Sequence, residues 1–459
     1  MREAGHTVSF RLGRIEGEQK SDIGMLLALE TRIFGSTCSS FSRIPHDDLP
    51  IEVPGTRPDL TLDISGGMPA DLSLYLDGRR GISHLGATLV GEHVPFVELR
   101  DQAGHAVASG LPAIEAPDVA SRALDQFLSR LVTLVLMAID GRQRTPANLL
   151  HLDREAAPGS PATFLARSTL GKLARKLFAS RLRADHWRVG IKRSTGPLDY
   201  TSDTVISGYA WLPDDGARYY ADPVLWTEAG RTYLFVEEFP YATGRGIIAY
   251  TELDDDGRPL FTPRPIIERQ THLSYPMIFR HDGALYMIPE NSAEDHVPLY
   301  RAARFPDVWD YLGPLLPDVG LHDATLFEHA GAWWLFGNQA LHGGSSWDCL
   351  MIFRAESPLD PFEPHAANPV LVDARATRPG GPILKMGEKL IRPVQNCLGG
   401  YGRFLRFIEI TELSPQTYAQ HECGRLAAPV SGAIRGVHTY ARDDRFEAID
   451  VLTSRRFIG

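Results

Sequence analysis

Three carboxylates fall at corresponding steps of a repeated pattern. Asp222 opens DPVLWTEAGRTYLFVE (222–237), Glu290 closes YPMIFRHDGALYMIPE (275–290) and Asp323 opens DATLFEHAGAWWLFGN (323–338). With the turn glycines Gly230, Gly283 and Gly331 in register, Asp222, Tyr275 and Asp323 share one position, and Glu237, Glu290 and Asn338 share another. Two or three carboxylates around one pocket are what cleaving or transferring a glycosidic bond requires. One must be held protonated to release the leaving oxygen, and another ionised to activate water or attack the sugar. Low dielectric and mutual repulsion would drive their pKa values apart. On this chemistry Asp222 is the expected base or nucleophile, Glu290 the acid and Asp323 the orienting, pKa-tuning acid. The competing role is structural: an Asp at the start of a hairpin also accepts backbone N–H bonds.

Further polar residues share these positions and are expected to contact substrate: Glu237, Tyr275, His322, Asn338 and His438. Arg378, Arg392 and Gln395, with Asn396 beside them, cluster in a later copy of the pattern. Arg392 replaces an apolar strand residue, which costs stability unless a partner neutralises it; the cluster is expected to clamp sugar hydroxyls or a phosphate, or else to form a salt bridge to one of the pocket acids. Glu237 is expected to face the pocket and Glu238 to face solvent. Trp333 and Trp334 are expected in the core. No metal and no cofactor is expected: His322 and His438 read as hydrogen-bonded histidines, and the cysteines (Cys38, Cys349, Cys397, Cys423) lack paired ligand spacing.

The elements that position these residues repeat. Each copy is an apolar strand, a tight Gly- or Asp-containing turn and a second strand, the pattern of a hairpin. A fourth copy is GPILKMGEKLIRPVQ (381–395) and a weaker fifth is GVHTYARDDRFEAIDVL (436–452). After the first four comes a further β-pattern: GIIAYTEL, VPLYRAARF, CLMIFRAES and RFLRFIEITEL. Five copies at a spacing of roughly 50 residues predict a propeller with four-stranded blades. The last copy has no outer strand after it, and WRVGIKR (187–193) has the character to fill that place and close the ring. Residues 186–459 are therefore expected to form a five-bladed β-propeller, with the aligned polar positions around a funnel at one mouth.

The first 185 residues lack the repeat. Strand patterns such as RPDLTLDISGG (57–67) and an amphipathic helix over 116–140 predict a small α/β domain across 1–145. A linker at Pro146 to Pro161 and a basic helix complete the segment 146–185. The fold class is thus mainly β, a propeller preceded by a small α/β domain. A net charge of −10 without a basic stripe argues against nucleic acid. LVTLVLMAI (131–139) is too short to span a bilayer, so no transmembrane segment is expected. Scattered cysteines suit a reducing cytoplasm. GRGIIA (244–249) and GGYGRF (399–404) lie between strands, not between a strand and a helix, which weakens a nucleotide cradle.

The propeller half resembles the N-terminal region of the glucosamine inositolphosphorylceramide transferases. The stretches that carry this are ADPVLW, GRTYLFVEE, THLSYPMIF, ALYMIPENS, LYRAARFPDVW, DATLFEHAGAWWLFG and RPGGPILKMGEKLIRPVQNCLGGYG. More distantly, ADP before a blade strand is similar to the five-bladed arabinanase, xylosidase and fructosidase propellers, a resemblance that aligns Asp222 and Asp323 with their two pocket aspartates. The N-terminal part weakly resembles a degenerate formyltransferase-type domain. Together these imply a carbohydrate or glycolipid substrate, with glycosyl hydrolysis or transfer at the central pocket by an enzyme of glycosidase or glycosyltransferase type. In the transferases, transfer is attributed to a separate C-terminal domain, which implies the alternative: a non-catalytic glycan-binding module of a polysaccharide-assembly pathway.

Overall fold

The computed structural model describes residues 58–91, 93–141, 160–177, 184–291, 293–429 and 433–455, with a few isolated positions before 58. Cys38 and nearly all of the expected linker lie outside the described residues. The chain is mainly β and divides into two compact units, Met1–Ala179 with Ala340–Ser345, and Ser180–Gln339 with Ser346–Gly459.

In the first unit five short strands between Leu62 and Gly110 form one sheet, accompanied by helices Leu85–Val90, Ala120–Ile139 and Pro161–Leu177. The helix Ala120–Ile139 buries Ala120, Ala123, Leu124, Phe127, Leu131, Leu134 and Val135, the three- and four-residue spacing of one apolar face. No helix among the described residues is long and apolar enough to cross a membrane.

The described residues of the second unit form five antiparallel sheets in chain order, apart from one parallel edge strand. Sheet 1 runs from Arg218–Glu228 to Arg264–Ile267, sheet 2 from Ser274–His281 to Val308–Leu316, and sheet 3 from His322–His329 to Leu371–Val372. Sheet 4 spans Leu384–Met386 to Tyr418–Ala427 and takes the short strand Asp203–Val205 on its edge, in parallel. Sheet 5 joins the two ends of the unit: Tyr440–Arg442 and Phe446–Arg455 are completed by Ala184–Arg193 and Ala210–Trp211. Val189 lies opposite Asp450 and Ile191 opposite Ala448, as the closure by WRVGIKR requires. Both are buried with Phe446, Tyr220 and Leu234 between sheets 5 and 1; each such aliphatic side chain contributes on the order of 1.5–3 kcal/mol of transfer free energy. A like cluster (Phe235, Ile248, Ile278, Met287) joins sheets 1 and 2, and another (Ile391, Phe407, Tyr440, Ile449) joins sheets 4 and 5. Trp334 is core, and Trp333 packs on Phe279 and His281 of sheet 2, so neither tryptophan stands free.

Candidate functional site

The local backbone places the acids. In the first three hairpins the ladder skips two residues at the start of the first strand. Opposite Phe235 and Glu237 the partners jump from Val224 to Ala221. The same jump runs from Met277 to Ser274 and from Thr325 to His322. Each gap holds a left-handed residue: Asp222 (φ 49°), Tyr275 (φ 46°) and Asp323 (φ 52°). Such a bulge re-aims the backbone, and a left-handed L-residue costs roughly 1–2 kcal/mol, tolerated by Asp better than by Tyr.

The re-aimed N–H groups cross to the preceding sheet. Asp222 N–H donates to Asp450 Oδ2 (2.8 Å), Tyr275 N–H to Asp222 Oδ2 (3.2 Å) and Asp323 N–H to Glu290 Oε2 (2.7 Å). In sheet 4 the corresponding step is Gly381, whose N–H donates to Tyr275 Oη (2.9 Å). A Cβ there would sit 2.0 Å from Tyr440 O, so only glycine fits.

Two charged networks are built on this frame. In the first, His438 lies between two carboxylates, its Nε2 3.1 Å from Asp222 Oδ1 and its Nδ1 2.7 Å from Asp450 Oδ1. Thr439 Oγ1 donates to Asp222 Oδ1 (2.9 Å), and the His438 and Thr439 N–H groups donate to Asp450 Oδ1. Burial disfavours charge on His438, yet Asp450 and Asp222 override it and raise its pKa well above the ordinary value. Burial likewise opposes ionisation of Asp222, but His438 and Thr439 prevail and lower it. Asp222, His438 and Asp450 are close enough to hold an ion, but an imidazolium between the two carboxylates already balances part of their charge.

In the second network Arg378 Nε donates to Asp323 Oδ2 (2.7 Å) and its Nη2 lies 3.6 Å from Glu290 Oε2. Gln395 Nε2 donates to Asp323 Oδ2 (2.8 Å), and His322 Nδ1 is 3.1 Å from Glu290 Oε1. Against burial, His322, Arg378 and a side-chain hydrogen bond from Asp323 hold the Glu290 carboxyl far below the usual range. At Asp323 burial, with the neighbouring Glu290 charge, outweighs Arg378 and raises the pKa. Glu237 is raised as well, by burial and then by Asp222.

Most of the residues singled out from the sequence thus meet, in buried bonds between sheets. Asp222, Glu290 and Asp323 are at most 6% exposed and are spent on bonds between sheets. Glu290, expected as the acid, is corrected: against burial, His322 and Arg378 lower its pKa, the opposite of the shift a proton donor needs. Arg392 is corrected too. It lies three residues from Gln395, on the opposite face of the strand, and donates to Tyr418 Oη, Gln420 Oε1 and Thr377 O. Neutral acceptors and the face of Phe336 (5.3 Å) satisfy it there. Glu238, expected to face solvent, is instead buried at 1% exposure and pairs with Arg218. Tyr275 Oη also bonds Thr325 Oγ1 (2.8 Å), and Asn338 Nδ2 donates to Thr377 Oγ1 (3.1 Å).

Sequence reasoning missed Asp450, Thr439 and His272. Asp450 had a signal: it stands seven residues after the turn residue Asp443, as Glu237 stands seven after Gly230. His272, whose Nε2 lies 3.3 Å from Glu237 Oε1, sits in a connection outside the repeat and had none.

A set of unfilled polar atoms remains at the ends of the second strands of sheets 1 to 4. Asn291 Oδ1 and Nδ2, Asn338 Oδ1, Gln395 Oε1 and Asn396 Oδ1 are buried with no hydrogen-bond partner among the described residues, and so is Glu237 Oε1, which His272 Nε2 approaches to 3.3 Å without hydrogen-bond geometry. The Gln395 orientation is fixed, because its Nε2 donates to a carboxylate and a carbonyl. A buried polar atom left unpaired costs about 1–3 kcal/mol, so water or a ligand is called for here.

Residues 210–459 match the family described as "Glucosamine inositolphosphorylceramide transferase 1, N-terminal". Over 207 residues the chain is 32% identical to glucosamine inositolphosphorylceramide transferase 1 of Oryza sativa subsp. japonica, covering 44% of this chain and 28% of that protein. Over 248 residues it is 29% identical to the Arabidopsis thaliana protein of that name, covering 53% and 32%. The chain therefore spans about a third or less of the length of these relatives. Among solved structures, an α-L-arabinofuranosidase from Podospora anserina aligns at TM-score 0.40 and 11% identity, over 60% of this chain and 98% of that one. A family 117 glycoside hydrolase from Zobellia galactanivorans aligns at 0.38 and 12%, over 60% and 92%.

Proposed function

Because this chain belongs to the glucosamine inositolphosphorylceramide transferase 1 N-terminal family, we propose that residues 186–459 are a five-bladed β-propeller that binds a glycan or glycolipid head group where the second strands end. Five sheets in chain order, the fifth completed by strands from the start of the unit, support the propeller. Residues 1–145 are then a separate α/β domain and 146–185 the join, and the scattered cysteines favour the cytoplasm. The observation that carries the binding role is the row of orphaned atoms, five oxygens against one nitrogen. Acceptors in excess call for a donor-rich partner, and a polyhydroxylated sugar or inositol head group supplies hydroxyl donors at that density. The partners in this reading are carbohydrate or glycolipid, not nucleic acid.

Locked acids favour binding over turnover. The test is saturation-transfer NMR of the purified chain against free glycans and inositol-phosphate head groups, repeated with Asn338→Ala and Gln395→Leu. Binding that weakens at least tenfold in both variants supports the proposal. Binding unchanged in both, or to no hydroxyl-rich ligand at all, sinks it.

One observation favours a catalytic reading beside it. In the first hairpin the Asp222 pKa is lowered and the Glu237 pKa raised, the opposed shifts an acid–base pair needs. Glu237 then replaces Glu290 as the acid. Turnover of a glycan or nucleotide sugar, detected by mass and abolished in Glu237→Gln, would establish it.

A further inference from the structure

Sheet 4 carries a second cluster of reactive side chains, on residues that play no part in the networks above. Glu409 lies directly across the ladder from His421, in strands Phe404–Leu413 and Tyr418–Ala427. Residues so paired in antiparallel strands have Cβ atoms roughly 4.5–5.5 Å apart. Two residues on, Cys423 is the residue skipped where the register moves from Phe407–Gly424 to Ile408–Glu422. It is the extra residue of a β-bulge, a feature that re-aims a side chain. Cys423 Sγ comes to 3.6 Å from His421 Nε2 and 3.8 Å from Glu409 Oε2. One ligand atom from each of the three lies within 4.8 Å of the others.

We propose that Glu409, His421 and Cys423 bind a divalent metal ion of zinc type. Bonds of about 2.3 Å to sulfur and 2.0–2.1 Å to nitrogen or oxygen, at a tetrahedral angle, place ligand atoms about 3.5 Å apart. The two separations to Cys423 Sγ are already close to that value. One thiol, one imidazole and one carboxylate suit a borderline-soft ion and not Ca²⁺ or Mg²⁺, which take oxygen. The chain supplies three ligands; His421 is exposed, so water takes the fourth position. On binding, the Cys423 thiol gives its proton to solvent and coordinates as thiolate. Lys389 Nζ, 2.9 Å from Glu409 Oε2, is half-exposed and is displaced from that oxygen. The ion ties the bulge to its neighbouring strand, so it stabilises the folded chain by mass action.

The experiment uses the full chain, reduced and metal-free, titrated with Co²⁺ as a spectroscopic probe and with Zn²⁺ by calorimetry. One equivalent of Co²⁺ should give a thiolate-to-metal charge-transfer band that disappears in Cys423→Ser and persists in Cys38→Ser. Zinc affinity should fall at least tenfold in Cys423→Ser and in His421→Ala, the range that loss of a ligand shell partner already produces. Zn²⁺ should raise the denaturation midpoint of the parent protein and leave that of Cys423→Ser unmoved, while the two midpoints agree in chelator. A band that survives in Cys423→Ser, no stoichiometric binding, or zinc affinities within twofold of the parent overturns the proposal.

Discussion

Sheets 1 and 3 begin from one element and end in opposite electrostatics. Both open on a buried aspartate in a bulge, at φ 49° and 52°, with its N–H bonded to a carboxylate of the sheet before. Yet Asp222 is drawn below the usual carboxylate range and Asp323 is pushed above it. The backbone repeat is common to both; the partners are not. Asp222 meets an imidazolium and a threonine hydroxyl from sheet 5. Asp323 shares its one guanidinium with Glu290. What a repeated position can do is therefore decided by the neighbouring sheet, through residues that the repeat does not contain.

The largest test of that contrast removes the acceptor beneath Asp222. Asp450→Ala strips three backbone N–H groups of their carboxylate and leaves His438 with one counter-charge instead of two. Breaking a buried ion pair from one side costs about 3–5 kcal/mol, so urea denaturation should show a loss of that order. A loss under about 1 kcal/mol would mean that Asp450 is a bystander.

On the sheet 3 side the matching change is Arg378→Met, which leaves Asp323 and Glu290 facing each other without the guanidinium they share. A loss of about 3 kcal/mol is expected at neutral pH, with part recovered when Asp323→Asn is added, since one of the two stranded charges is then gone. Neighbours in one network couple by roughly 0.5–3 kcal/mol. Strict additivity of the two changes would show that they do not share a network.

Glu237 sharpens the comparison through pH. Its folded pKa is raised above the unfolded value, so between those two values the folded chain holds a proton that the unfolded chain has released. Stability then falls as pH rises through that window, by up to about 1.4 kcal/mol per pH unit. Asp222, with a lowered pKa, acts in the other sense: its contribution is present above the unfolded value and lost on acidification. Glu237→Gln removes the first slope only, so the variant should gain on the parent as pH rises from about 5 to 8. Parallel stability curves for the two proteins would place the Glu237 proton elsewhere.

Much of this frame was legible in the sequence, and the misses have physical reasons. Turn glycines and β-patterned flanks gave the hairpins, and the character of WRVGIKR placed the closing strand. Counting seven residues from the turn reached Glu237, Glu290 and Asn338, and would have reached Asp450 had Asp443 been set in register with the glycines. Two-residue alternation, applied to Arg392 and Gln395, separates them onto opposite faces; grouping them by proximity in sequence did not. Burial was not legible. An acid at the end of a hairpin looks the same in one dimension whether it faces a funnel or the N–H of the next sheet, and the sheet-to-sheet partners lie up to 228 residues away.

The smallest expected effect concerns the turns that hold this register. Ala229–Gly230, Asp282–Gly283 and Ala330–Gly331 all have positive φ at both positions, the signature of a two-residue type I′ hairpin. Sheet 2 fills the first position with aspartate, which tolerates it; sheets 1 and 3 use alanine, which does not bond locally to compensate. All three residues are exposed, so little packing changes with the side chain. Ala330→Asn should therefore stabilise the chain by about 0.5–1 kcal/mol, and Ala229→Asn by a similar amount. Asp282→Ala should cost about as much. These shifts are readable as displaced denaturation midpoints at constant m-value. If the asparagines were neutral while Asp282→Ala still destabilised, the advantage of sheet 2 would lie in a contact of Asp282 itself, such as that with His281 at 3.4 Å, and not in the left-handed turn the three hairpins share.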